Sequence, residues 1–300
     1  MARKLLVIGA SGLLGSKVVA QARGRYDVIG TYNPEVDGQD LWRLEALDIG
    51  SKDEVEALFK KFSPDVAILT AAMTNVDACE KNPTVANRVN ASGPALVARA
   101  CKASGTRLVH VSTDYVFDGR KTRKYTETDV PRPISVYGSS KLAGERSVLS
   151  TLPGAVVSRT AVLYGWNPLE GKDNFVTWVL KKLRKGEKVP LFEDQSISPT
   201  FADDVAKTLI DLSEMDVSGM WHTSGPDCLD RPSCGRMIAR VFDLDEGMVA
   251  PVPSASVSLP AKRPRYSCLD ASKVERLLNR KMMSFEHGLK AMKEQEGKAR

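Results

Sequence analysis

The sequence has few histidines and cysteines and no long hydrophobic run, and each shortage excludes a class of protein. It contains three histidines in 300 residues, His110, His222 and His287, which are too scattered to suggest a metal site. No apolar stretch is long enough to span a membrane. The N-terminal apolar run stops at Ile8, too short for a secretory signal. We therefore expect no bound metal and no membrane partner.

Cysteine is also scarce, and its pattern bears on the compartment. The five cysteines are Cys79, Cys101, Cys228, Cys234 and Cys268, an odd number without a Cys-x-x-Cys motif. In a chain of this length, that pattern predicts free thiols in a reducing compartment. We therefore expect a cytoplasmic protein.

The charge balance favours an anionic ligand. The net charge is +6, with 27% charged and 42% hydrophobic residues, which is ordinary for a globular protein. A mildly basic chain suits a nucleotide or a nucleotide-sugar. The basic residues are spread along the sequence, so we expect no nucleic-acid partner.

A glycine-rich turn lies between the first predicted strand, 4–8, and a helix predicted over 13–22. The turn reads Gly-Ala-Ser-Gly-Leu-Leu-Gly, with glycines at positions 9, 12 and 15. Glycines let the backbone turn tightly and approach a pyrophosphate, which lies at the helix N-terminus. The spacing differs from Gly-x-Gly-x-x-Gly, but its position between strand and helix predicts dinucleotide binding.

The end of the second predicted strand, 26–31, bears on the choice of cofactor. NAD sites usually place Asp or Glu there, because the carboxylate binds the ribose hydroxyls. This chain continues Thr31, Tyr32, Asn33, Pro34, with neither an acid nor an arginine. The pattern favours NADP(H) and leaves NAD(H) open.

Strands and helices alternate through the first half of the chain. The predicted strands are 4–8, 26–31, 44–47, 65–69, 108–111 and 155–159. This alternation predicts an α/β fold, a Rossmann-type doubly wound parallel sheet with a smaller C-terminal substrate-binding lobe. We expect the dinucleotide-binding domain to comprise 1–160 and about 200–222, and the lobe about 161–199 and 223–300. A frayed charged tail is predicted from about Glu294 onward.

Polar residues stand where the fifth predicted strand ends. Ser112, Thr113 and Asp114 come directly after it, at the edge where ligands bind in open parallel sheets. Tyr137 and Lys141 are four residues apart, which places them on one face of a helix. A cation beside a phenol lowers the phenol pKa, so Tyr137 can exchange a proton with a substrate oxygen. Tyr-x-x-x-Lys also arises by chance, so the neighbouring motifs decide.

Together the motifs resemble the extended short-chain dehydrogenase/reductases. More narrowly, they are similar to the dTDP-4-dehydrorhamnose reductases and the related regulatory β subunits of methionine adenosyltransferase. The matching segments are 9–15, 71–74, 112–117, 137–145, 173–175, 199–200 and 261–265, in family order and spread over nearly the whole chain.

The resemblance implies the roles of individual residues. Tyr137 would protonate the substrate carbonyl oxygen, Lys141 would hold the nicotinamide ribose, and Thr113 would orient the carbonyl. The implied cofactor contacts are Gly9, Ser11, Gly12, Leu13, Asp48, Ile49, Ala71, Ala72 and Thr74. The implied substrate contacts are Asp114, Asn174, Thr200 and Arg263. Asp114 has the alternative of capping a turn, and Arg263 that of a surface cation.

One departure keeps two functions open. Bacterial dTDP-4-dehydrorhamnose reductases usually carry a tryptophan after the sixth strand, where this chain has Val162. The stretch also resembles the corresponding Ile-rich stretch of the regulatory subunits. The first function is an NADPH-dependent reductase of a nucleotide-linked 4-keto-6-deoxysugar in dTDP-L-rhamnose synthesis. The alternative is a dinucleotide-binding regulatory subunit whose partner is a methionine adenosyltransferase catalytic subunit. The sequence leaves a homodimer open.

Overall fold

A computed structural model describes residues 2–33, 44–167 and 172–299. Pro34, which follows the second predicted strand and bears on the choice of cofactor, and Arg300 lie outside the described residues.

In the described residues, seven parallel strands form the central sheet: β1 Lys4–Ile8, β2 Asp27–Tyr32, β3 Leu44–Ala46, β4 Val66–Leu69, β5 Arg107–Thr113, β6 Val156–Thr160 and β11 Gly219–His222. Their order in the sheet is β11-β6-β5-β4-β1-β2-β3. The order reverses at β1, because the chain goes to β2 and β3 on one side and then crosses to β4. The crevice at such a reversal is where doubly wound sheets bind ligands.

Helices cover both faces of the sheet. They are α1 Leu13–Ala22, α2 Lys52–Phe62, α3 Val76–Lys81, α4 Pro83–Asn87, α5 Gly93–Ser104, α6 Val136–Thr151 and α8 Ala202–Glu214. The strands are nearly continuous apolar runs because both of their faces are buried. One apolar cluster packs α1 and α8 against the sheet, and a second packs α2 and α5 against its other face.

A third apolar cluster lies in the C-terminal part of the chain. It includes residues of α7 Phe175–Arg184, α9 Arg231–Val241 and α11 Phe285–Ala299; the short helix α10 is Ser272–Leu278. Short strand pairs connect these helices: β7 Leu163–Tyr164 with β10 Thr200–Phe201, β9 Ser196–Ile197 with β12 Leu229–Asp230, and β8 Val189–Phe192 with β13 Val249–Val252.

The structure confirms the predicted fold class, and the six predicted strands of the sheet lie within two residues of their expected bounds. The division into two domains stays a prediction. The prediction of a frayed tail from about Glu294 onward was wrong, because α11 continues to Ala299. The side chain of Met292 is buried, and its carbonyl oxygen accepts a hydrogen bond from Trp166 Nε1 at 2.8 Å.

The prediction of free thiols was wrong for two of the cysteines. Cys228 and Cys268 form a disulfide, although 40 residues separate them. The loop after β11 and the segment before α10 approach each other only in the folded chain. Cys79, Cys101 and Cys234 are free and buried. Within the described ranges, no helix is both long and apolar enough to cross a membrane.

Candidate active site

The predicted glycine turn has the shape that a dinucleotide phosphate needs. Gly9 has a φ of +94°, and a Cβ there would lie 2.7 Å from the Ala71 nitrogen. A Cβ on Gly15 would overlap the Gly9 carbonyl oxygen, so α1 approaches the turn more closely than any other residue allows. Gly12 caps α1 without a side-chain hydrogen bond. The first amides of the helix thus remain available to an anion, and the turn fits the predicted cofactor.

The other predicted cofactor residues lie near this crevice. Ser11 is buried within the turn, and Leu13 is the first residue of α1. Ala71 and Ala72 follow β4, half-buried, and Thr74 is exposed beyond them. The Asp48 carboxylate accepts a hydrogen bond from the Gly50 amide at 2.9 Å and pairs with Arg88. Ile49 is buried against Gly93.

The predicted triad comes from two elements that meet at the end of the sheet. Thr113 is the last residue of β5, and Tyr137 and Lys141 lie in the first two turns of α6. Ser135 caps α6 by accepting a hydrogen bond from the Gly138 amide at 3.2 Å. A Cβ on Gly138 would overlap the Tyr115 carbonyl oxygen, so this glycine lets the helix approach the residues after β5.

The electrostatics of the triad differ from the sequence expectation. Burial raises the pKa of the Tyr137 phenol, while the Thr113 hydroxyl beside it lowers it. Lys141 is not among the groups that shift the Tyr137 pKa, and its Nζ donates to the Val111 carbonyl oxygen at 2.8 Å. Burial lowers the pKa of Lys141 to about 8, and the Glu145 charge opposes that shift. The predicted lowering of the Tyr137 pKa by Lys141 is therefore wrong for this structure.

A buried amide that no sequence motif singles out connects the two halves of the site. Asn90 is fully buried in a π-helix, Arg88–Ser92. Its Oδ1 accepts from the Met73 amide at 2.8 Å, and its Nδ2 donates to the Met73 carbonyl oxygen and to Ser140 Oγ. Asn90 thus fixes the segment after β4 to α6. An interruption of regular helix often marks a functional site.

The four predicted substrate residues have different environments. Asp114 is buried beside Thr113, whose hydroxyl donates to its Oδ1 at 3.0 Å. Burial raises the pKa of Asp114 to about 6. In the part of the chain that the structure describes, Asp114 Oδ2 is buried without a hydrogen-bond partner. The nearby Ser267 hydroxyl lowers the Asp114 pKa, but burial raises it by more. A buried carboxylate oxygen of this kind is suited to accept a hydrogen bond from a ligand.

The other three use their polar atoms within the fold. Asn174 caps α7 by accepting from the Thr177 amide at 3.2 Å, and its Nδ2 donates to the Gly165 carbonyl oxygen at 2.7 Å. Thr200 is buried, donates to the Ser198 carbonyl oxygen and accepts from the Gly225 amide. Arg263 forms a bidentate pair with Asp77 of α3, with N–O distances of 2.8 and 2.6 Å. Their roles toward a substrate stay predictions.

Two comparisons with known proteins cover nearly the whole chain. A family model described as the RmlD substrate binding domain matches residues 3–297. The chain is 38% identical over 291 residues to the probable low-salt glycan biosynthesis reductase Agl14 of Haloferax volcanii, covering 95% of this chain and 96% of that protein. It is 39% identical over 276 residues to dTDP-4-dehydrorhamnose reductase of Mycobacterium tuberculosis, covering 89% and 85%.

The similarity extends to a regulatory protein and to a solved structure. The β subunit of methionine adenosyltransferase 2 from Danio rerio is 31% identical over 283 residues, with 92% of this chain and 85% of that protein covered. A crystal structure of dTDP-4-dehydrorhamnose reductase from Bacillus anthracis in complex with NADP superimposes with a TM-score of 0.89 at 29% identity. The match covers 98% of this chain and 100% of that one. These matches confirm the predicted resemblance to both groups.

Proposed function

The chain belongs to the RmlD substrate-binding domain family, and from this premise we propose that it is an NADPH-dependent reductase of a nucleotide-linked 4-keto-6-deoxysugar. The predicted oxidoreductase class and the preference for NADP(H) agree with relatives named as reductases and with the NADP complex from Bacillus anthracis. We place the reaction in dTDP-L-rhamnose synthesis, as the name of the Mycobacterium tuberculosis relative suggests.

One observation supports this function above the others: a phenol, a hydroxyl and an ammonium lie together at the end of β5. Thr113 is close enough to Tyr137 to lower its pKa, and Lys141 is held by the backbone of the same strand. NADPH, when bound, would supply the hydride for the carbonyl carbon. The Tyr137 hydroxyl, which burial keeps protonated at neutral pH, would donate its proton to the carbonyl oxygen. Thr113 orients the oxygen by a hydrogen bond.

The test follows the absorbance of NADPH with purified protein and dTDP-4-keto-6-deoxy-L-mannose. We expect the wild-type chain to consume NADPH. Tyr137→Phe should consume it at least about 100-fold more slowly, as is usual when a general acid is removed. Tyr26→Phe is the matched control, because the Tyr26 hydroxyl bonds Glu214 at 2.8 Å rather than a site residue. Absence of turnover, or equal turnover by Tyr137→Phe, would refute the proposal.

The second candidate is the regulatory role, and two observations favour it. The Danio rerio β subunit is a relative over most of the chain, and Val162 stands where bacterial reductases usually carry tryptophan. The test mixes the protein with a methionine adenosyltransferase catalytic subunit and measures co-elution and the kinetics of S-adenosylmethionine formation. Co-elution with altered kinetics, together with no reductase turnover, would replace the first proposal by the second.

A further inference from the structure

The first residue of α9, Arg231, has a guanidinium group whose orientation is fixed by the protein. Its Nε donates to Gln195 Oε1 at 2.8 Å, and Gln195 is itself buried. The guanidinium carbon lies 5.2 Å from the centre of the Phe175 ring. A side-chain acceptor at Nε and an aromatic ring beside the guanidinium hold its plane before any ligand arrives.

The terminal nitrogens of Arg231 have no hydrogen-bond partner in the part of the chain that the structure describes. Among the residues that the structure describes, its only hydrogen bond is the one from Nε, and it forms no ion pair. Arg263 is different, because Asp77 occupies both of its terminal nitrogens. Arg231 is half-buried, so its side chain is less solvated than that of a surface arginine.

Arg231 lies near the catalytic end of the sheet. Its positive charge lowers the pKa of Asp114 and that of Tyr115, the two residues directly after β5. Phe175, which packs beside it, follows the predicted substrate residue Asn174 in the chain. Gln195, which holds Arg231, is followed by Ser196, whose carbonyl oxygen accepts from the amide of Ser267 at 3.0 Å, and the Ser267 side chain lies beside Asp114. Arg231 and Asp114 are thus joined through neighbouring segments.

We propose that Arg231 binds the diphosphate of the nucleotide-linked substrate. A planar guanidinium with two parallel donors matches phosphate oxygens in a bidentate manner. The Asp114 carboxylate repels an anion, so it suits the neutral hydroxyls of the sugar instead. Arg231 then binds the diphosphate end of the substrate, and Asp114 binds the hydroxyls of its sugar end. This inference rests on the proposed function, since it concerns the substrate of the same site.

The experiment measures binding of thymidine 5′-diphosphate, uridine 5′-diphosphate and the unphosphorylated nucleosides by calorimetry. We expect Arg231→Gln to weaken diphosphate binding by about 10- to 100-fold, the usual effect of removing charge-assisted hydrogen bonds, and to leave nucleoside binding unchanged. Arg231→Lys should bind the diphosphates with an affinity between those of the wild type and Arg231→Gln, because lysine keeps the positive charge but lacks the planar pair of donors. Arg240→Gln is the matched control on the same helix, since Arg240 pairs with Glu246 at the surface.

The outcomes separate this inference from the proposed function. If Arg231→Gln binds the diphosphates as the wild type does, or loses the nucleosides equally, Arg231 is not the diphosphate contact. A wild-type protein that binds neither diphosphate also overturns the inference. A protein that binds a diphosphate through Arg231 but reduces no keto sugar supports the inference and refutes the reductase. In an active enzyme, Arg231→Gln should raise KM by the same factor while kcat changes less than about threefold.

Discussion

The Arg159 guanidinium donates two hydrogen bonds to the Glu145 carboxylate, 2.8 Å from Nε to Oε1 and 2.6 Å from Nη2 to Oε2. Only 4% and 2% of the two side chains are exposed. Glu145 lies on α6 one turn after Lys141, and Arg159 lies on β6. The pair therefore fixes the helix that carries Tyr137 and Lys141 to the central sheet.

Removing one partner of this pair should destabilise the fold. Glu145→Gln leaves the Arg159 charge buried without its counter-ion, and such a change costs about 3–5 kcal/mol. Urea denaturation at pH 7 measures the loss in free energy of unfolding. Glu246→Gln breaks the exposed pair with Arg240 and should leave stability unchanged. Equal stability of the two variants would contradict the structural role of the buried pair.

Asp114 should make stability depend on pH. Burial raises its pKa from 3.8 to about 6, so the native state holds a proton that the unfolded chain has released. The stabilisation that this bound proton gives the native state is fully present below about pH 4 and is lost as the pH rises through about 6. Asp114→Asn should therefore be more stable than the wild type by about 3 kcal/mol at pH 7, with little difference at pH 4.

Denaturation curves between pH 4 and pH 8 measure this difference. Asp118→Asn is the control of opposite sign, because backbone and Tyr125 hydrogen bonds lower the pKa of Asp118 despite partial burial. Compared with the wild type, that variant should lose more stability at pH 7 than at pH 4. A constant gap between Asp114→Asn and the wild type across this range would show that Asp114 does not titrate as a buried group.

Two substitutions in the glycine turn, Gly15→Ala and Gly12→Ala, should distinguish its role in folding from its role in cofactor binding. A Cβ on Gly15 would overlap the backbone of Gly9, so Gly15→Ala should cost about 1–3 kcal/mol and abolish NADPH binding. A Cβ on Gly12 meets only ordinary contact at 3.4 Å, and its φ of −79° suits alanine. We expect Gly12→Ala to keep its Tm and to weaken NADPH binding at least about tenfold, because the added methyl occupies the phosphate approach. Fluorescence titration with NADPH, alongside thermal unfolding, distinguishes the two effects; unchanged binding by Gly12→Ala would contradict the assigned phosphate site.

The sequence predicted those parts of the fold that depend on local pattern. The strands β1, β4 and β5 are short apolar runs with both faces buried, and the glycine turn is a contiguous motif. Two-residue strands such as β7 and β9 have no periodicity to detect. They form because the C-terminal helices bring distant segments together.

The same limit applies to the site. Tyr137 and Lys141 were predictable because four residues along a helix define their relation. Asn90 bonds Met73 and Ser140, which are 17 and 50 residues away, and Arg231 depends on Gln195, 36 residues away. No local pattern identifies such residues, because their roles arise only when separate elements meet.

The disulfide between Cys228 and Cys268 should contribute strongly to thermal stability. It closes a loop with a sequence separation of 40, for which loop-closure entropy gives about 4 kcal/mol. We expect a reductant to lower the Tm of the wild-type protein by several degrees, and Cys228→Ala/Cys268→Ala to show the same lower Tm with or without reductant. Cys101→Ala is the control, since its buried free thiol leaves the disulfide in place and should keep the reductant sensitivity. A wild-type Tm that stays constant after full reduction, verified by thiol titration, would show that packing alone holds the segment before α10 in place.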